Sequence, residues 1–74
     1  METKQLKLSD YERQQLHKMI LGAIALRAKF RDRLKANGID VENGDSSELY
    51  DVINAGYASL IQAFEIDNRL NEEQ

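Results

Sequence analysis

The chain is predicted to be all-α, an antiparallel two-helix hairpin, and three observations carry that reading. Apolar residues recur at helical spacing in two long segments. Each segment opens on a capping signature, Ser9-Asp10-Tyr11-Glu12 and Asp45-Ser46-Ser47-Glu48. Charge divides between them: residues 1–37 hold nine Lys/Arg and four Asp/Glu, whereas residues 38–74 hold one and nine. A basic helix folded back on an acidic one is the simplest arrangement of such a split.

The first helix is expected over 10–36. Ser9 is its cap, Glu12 reaches back to the cap, and no proline interrupts it. Leu16, Met19, Ile20, Ala23, Leu26, Phe30 and Leu34 form one apolar stripe. Asn37-Gly38 should end it, since glycine adopts the left-handed conformation that closes helices, and Arg31, Arg33 and Lys35 suit its negative end. Residues 38–45 form the connector, with Ile39 and Val41 alternating as in a short extended piece. The second helix is expected over 46–70, with the stripe Leu49, Val52, Ile53, Gly56, Leu60, Ala63 and Phe64, and residues 71–74 should fray. Residues 1–9 form an arm, in which Leu6 and Leu8 lie either on a strand or across the hairpin. The whole is one domain.

A short connector makes the helices antiparallel neighbours. With the turn centred between Val41 and Glu42, the equal rise of the two helices pairs residues whose numbers add to about 83. That register sets Leu34 near Leu49, Phe30 near Ile53 and Met19 near Phe64, with Gly56 opposite Leu26 and Gly22 opposite Ile61.

One hairpin leaves apolar surface over. Leu21, Ile24, Ala25 and Ala28 form a further stripe on the first helix, and Tyr50, Tyr57 and Phe64 recur every seven residues on the second, with Ile61 beside them. Exposed together they would make a larger apolar patch than monomers normally tolerate. At 74 residues the chain is also near the lower size limit for a self-sufficient core, and without cysteine it has no disulfide staple. Self-association into a four-helix bundle homodimer is expected, in topology similar to the small helical-hairpin dimers. The alternative occupant of the surplus face is a different protein. Leu21, Ile24, Ala28, Tyr50, Tyr57, Ile61 and Phe64 are the expected dimer or partner interface.

Polar candidates are few. Arg27 interrupts the apolar middle, either snorkelling its head to water or fixing an interface. Arg13, Lys18, Lys29, Arg31, Arg33 and Lys35 are a candidate nucleic-acid surface, with Arg31, Arg33 and Lys35 the strongest set, but no aromatic platform lies between them and an acidic helix runs alongside. Asp40, Glu42, Asn43, Asp45 and Glu48 surround Gly44, yet the EF-hand register would place Ile39 and Val41 at the first and third positions, where oxygen ligands are needed. These read as turn formers. His17 has no carboxylate at helical spacing to orient it and reads as a surface histidine. No catalytic residues, metal site or cofactor are expected.

The expected function is that of a small non-enzymatic interaction module, an adaptor or inhibitor of a partner protein, acting as a homo-oligomer. A regulatory nucleic-acid-binding hairpin using the basic helix, or a structural assembly subunit, is the alternative. Neither uncharged run, Met19 to Leu26 or Val52 to Phe64, reaches the roughly 20 residues of a membrane span. No signal peptide is read at the start and cysteine is absent, so a cytoplasmic location is expected.

Overall fold

The computed structural model describes residues 5–73 and shows two helices, α1 (Asp10–Ala36) and α2 (Glu48–Glu72), joined through a 3-10 turn at Val41–Asn43. They pack as a hairpin. Its extents, 49 × 29 × 15 Å, are those of one layer of helix. The radius of gyration is 16.0 Å, against about 11 Å for a compact chain of this length.

Local chemistry sets the helix ends. The Ser9 hydroxyl accepts the Glu12 N–H at 3.2 Å while the Glu12 carboxylate accepts the Ser9 N–H at 2.9 Å, satisfying two of the donors that a helix start leaves free. At the other end Gly38 takes φ +83. Its N–H donates to the Lys35 carbonyl and that of Ile39 to the Leu34 carbonyl, at 3.0 and 2.9 Å. Both bonds are those of a Schellman closure, in which a left-handed glycine turns the chain back over the last carbonyls. Ser47 caps α2 by accepting the Tyr50 N–H at 3.2 Å. Helix α2 thus starts two residues later than the sequence predicts, and it continues two residues beyond the predicted end, to Glu72.

The connector is organised by Asp40. Its carboxylate accepts the Glu42 N–H and the Asn43 side-chain amide, and its carbonyl accepts the N–H groups of Asn43 and Asp45. Asp45 returns the bond, accepting the Asp40 N–H at 2.7 Å. The short extended piece anticipated around Ile39 and Val41 is instead this self-capped turn. The arm likewise adopts no strand among the described residues, and residues 1–4 lie outside them.

Contacts across the seam join His17 with Phe64, Arg27 with Asn54 and Tyr57, and Arg13 with Asp67. The paired numbers add to 80, 81 or 84, a few residues at most from the predicted register. The rotation of the helices differs from the prediction. Leu16 and Leu34 are buried, but Met19 (57% exposed), Leu26 (54%), Leu49 (59%) and Val52 (63%) lie open. The apolar stripes assigned to the seam are therefore half outside it. Tyr57 turns inward instead, because Arg27 and Asp67, charged residues that hydropathy excludes from a core, sit close to the centre line of the seam; Phe64 faces α1 as its place in the predicted stripe implies. Neither Gly22 nor Gly56 is packed by a large residue, since a Cβ built at either meets nothing within 4 Å.

Candidate interaction surface

At about 100° per residue, the flanks of the two helices define two faces of the hairpin. On one, Leu21, Ile24 and Ala28 from α1 adjoin Tyr50, Tyr57 and Ile61 from α2. Leu21 and Ile24 are exposed there, while Ala28, Tyr50, Tyr57, Ile61 and Phe64 are half-buried. His17, Ile20, Leu21, Ile61 and Phe64 line an open groove of about 270 Å³ in this face. The His17 ring lies 5.2 Å from that of Phe64, tilted by 53°, within the range of favourable aromatic pairs. Of the seven residues expected to form an interface, the structure brings Leu21, Ile61 and Phe64 into one groove.

Arg27 borders the same face. Its guanidinium lies 4.3 Å from the centre of the Tyr57 ring and donates to the Asn54 side-chain carbonyl at 3.1 Å. The head neither snorkels to water alone nor lacks a partner; ring and amide hold it within the hairpin. No carboxylate neutralises it there among the described ion pairs.

The opposite face was not anticipated as a surface. It carries Met19, Gly22 and Leu26 on α1, and Leu49, Val52, Gly56, Ser59 and Ala63 on α2, with no charge along the α2 stripe. The signal was present in the sequence. Leu49, Val52, Gly56 and Ala63, with Leu16, Met19, Ala23, Leu26 and Phe30, follow the three-and-four spacing of a bundle seam, which reads as an internal stripe until the rotation of the helices is known.

The arm is tied down at the open end of the hairpin. Asp67, only 4% exposed, accepts the Leu8 N–H and the Arg13 Nε–H, each at 2.7 Å. Arg13 donates in turn to the Leu8 carbonyl at 3.0 Å and to Asp10 at 3.1 Å. The Arg13 bond, then the Leu8 N–H, hold the Asp67 carboxyl below its ordinary pKa, and Asp67 raises that of Arg13. Sequence reasoning missed this cluster, because Leu8 and Asp67 stand 59 positions apart. A second bond from Lys7 to the Asn71 side chain, 3.3 Å, adds to it.

The basic residues do not form one row. Arg31 is half-buried and faces Glu42 at 3.4 Å, while Arg33 and Lys35 are exposed on different flanks of α1. Arg33 lies 5.7 Å from the Phe30 ring. Asp40 and Asp45, candidates for calcium, spend their oxygens on the connector's own donors. Among the described residues no group of three or more His, Asp or Glu is placed to hold a metal ion, and no helix is long and apolar enough to cross a membrane. No protein-family model matches the chain, and comparisons with curated proteins and with solved structures find no match.

Proposed function

We propose that the chain is a non-enzymatic protein-interaction module that works as a homo-oligomer and serves a second protein as adaptor or inhibitor. The observation that supports this reading most is how little the hairpin buries. Among the described residues Leu16 and Leu34 are its only buried apolar side chains. The accessible surface, 5974 Å², exceeds by about 1300 Å² that of a compact monomer of this mass. An excess of that size per chain suits the larger class of protein interface, in which each partner contributes about 1000 Å² or more.

Two apolar faces on one thin layer offer room for two contacts, one with a copy and one with a partner. The grooved face has the composition of a binding surface, with a concave apolar floor and a rim of Tyr57 and Arg27, residue types enriched where binding energy concentrates. The buried Asp67 and the half-buried Arg13 are occupied with the arm and with each other rather than with an open site.

Two measurements test the proposal. The thermal midpoint should rise between dilute and concentrated samples if association supports folding; a midpoint independent of concentration contradicts it. A tagged chain should retain a host protein that the Ile24→Glu variant, with unchanged helix content, releases. Retention of the same proteins by both chains argues against a partner on the grooved face.

A further inference from the structure

We propose that a second copy of this chain docks on the face made by Met19, Leu26, Leu49 and Val52, with α1 of each copy lying over α2 of the other and both connectors at the same end. This inference rests on the proposed self-association and specifies its geometry.

The choice of face follows from continuity with the seam and from charge. Met19, Leu26, Leu49 and Val52 are each more than half exposed, yet they fall at the spacing that continues the hairpin's own core residues Leu16, Ala23, Phe30, Ile53 and Leu60. Covering them merges two half-exposed stripes into one four-helix core. The α2 stripe here carries no charge from Leu49 to Leu70, so closure desolvates no ion on that helix. On α1 the same spacing continues into Lys29 and Arg33, exposed toward the connector end, whereas the grooved face would bring Arg27 and His17 into any close contact between copies.

The orientation follows from the helices' charges. Helix α1 holds seven Lys/Arg and three Asp/Glu; α2 holds one and five. The net charges are therefore +4 and −4. A two-fold dimer of hairpins can be built in two ways: α1 over its own copy with the connectors at opposite ends, or α1 over α2 of the other copy with the connectors together. The first stacks like charge on like along both helix pairs. All neighbours are antiparallel in both, but only the second sets opposite charges alongside at every neighbouring pair.

Steric fit points the same way. In the arrangement with connectors together, residues at equal height add to the same value between copies as within one, near 81 as for His17 with Phe64. Leu26 then falls beside Gly56 of the second copy, and Met19 beside Ala63, at the edge of the groove that Leu6 and Leu8 of the arm line with Ile66 and Leu70. Large residues meet small ones at both places, as interlocking helices require. Gly56 gains a reason it lacks in the single hairpin: a Cβ there meets nothing within 4 Å, although glycine inside a helix costs about 1 kcal/mol relative to alanine.

The chain has no cysteine, so a spin label at Ser46→Cys, in the exposed connector, reports one distance between copies by double electron–electron resonance. Connectors together give a distance below about 30 Å, whereas opposite ends separate the labels by at least the roughly 37 Å length of a 25-residue helix. Sedimentation of Val52→Glu and Leu21→Glu, one on each face and both exposed in the hairpin, assigns the face. The proposal requires a short distance, loss of the dimer in Val52→Glu and its retention in Leu21→Glu. A long distance overturns the orientation, and the reverse pattern of variants overturns the face, while self-association stands in both cases. A wild-type chain that gives no intermolecular distance and sediments as a monomer overturns this inference together with the proposed function.

Discussion

The carboxylate of Asp67, near the end of α2, receives the Arg13 Nε–H of α1 at 2.7 Å and is almost wholly shielded from water. Across 54 positions of sequence, this pair closes the end of the hairpin opposite the connector. Because Asp67 also accepts the Leu8 N–H, it fixes the arm and the two helices at one point.

Stability should therefore depend on acid. The Asp67 carboxyl is held below its ordinary pKa by the Arg13 bond first and the Leu8 N–H second. A depressed folded-state pKa means that the unfolded chain takes up the proton first as pH falls. The contribution of the pair is thus complete above the unfolded value and is lost progressively as pH drops through it toward the folded one. Urea midpoints between neutral pH and pH ~3, the acid side of a free carboxylate's ordinary pKa, should fall less steeply in Asp67→Asn than in the wild type. In the variant the Leu8 amide should exchange with solvent faster at neutral pH, because Leu8 loses its charged acceptor.

Leu16 and Leu34 should be the most sensitive apolar positions. Each is buried in a hairpin with little other core, so Leu16→Ala or Leu34→Ala should cost about 2–3 kcal/mol, the low end of the range for buried leucine. A small domain is stable by about 5 kcal/mol, and either change should remove a large part of that in chemical denaturation. Val52→Ala, at an exposed position, should cost the isolated hairpin far less.

Gly38 should resist substitution while Gly22 should not. Gly38 sits at φ +83 in the closure of α1, and Gly38→Ala should cost about 1–2 kcal/mol through the left-handed backbone. Gly22 has open space around its Cα. Gly22→Ala should stabilise α1 by up to about 1 kcal/mol. Thermal midpoints of the two variants should move in opposite directions.

Nucleic-acid binding should be weak. Arg31 is engaged by Glu42, and Arg33 and Lys35 project on different flanks. A dimer doubles the chain's net charge of −3. Affinity for duplex DNA or RNA at ~150 mM salt should be poorer than the roughly 10⁻⁴ to 10⁻⁶ M of nonspecific binders. Micromolar binding in a mobility-shift titration, abolished when Arg31, Arg33 and Lys35 are neutralised, would favour the nucleic-acid alternative.

The parts of the fold legible in the sequence are those set by neighbours along the chain. Ser9 with Glu12, and Asn37-Gly38, place both ends of α1 through bonds spanning a few residues. The rotation of each helix was not legible. It depends on Arg27 resting on Tyr57 and on Arg13 pairing with Asp67, contacts that put charge at the seam, whereas an apolar count turns Met19, Leu26, Leu49 and Val52 inward. Of the expected interface, Leu21 and Ile24 are open as their spacing implied. Tyr57 is engaged within the chain, for the same reason that the rotation was missed, while Phe64 meets α1 as its place in the α2 stripe implied.

The wider claim is that one hairpin is an incomplete core. Sedimentation velocity on the unmodified chain at tens of micromolar and neutral pH tests it without any substitution. A species of about twice the 8.5 kDa chain mass, persisting on dilution to the low micromolar range, is the expected result. A single species of 8.5 kDa that keeps full helix content across that range would contradict it, since the hairpin would then be stable with both apolar faces in water.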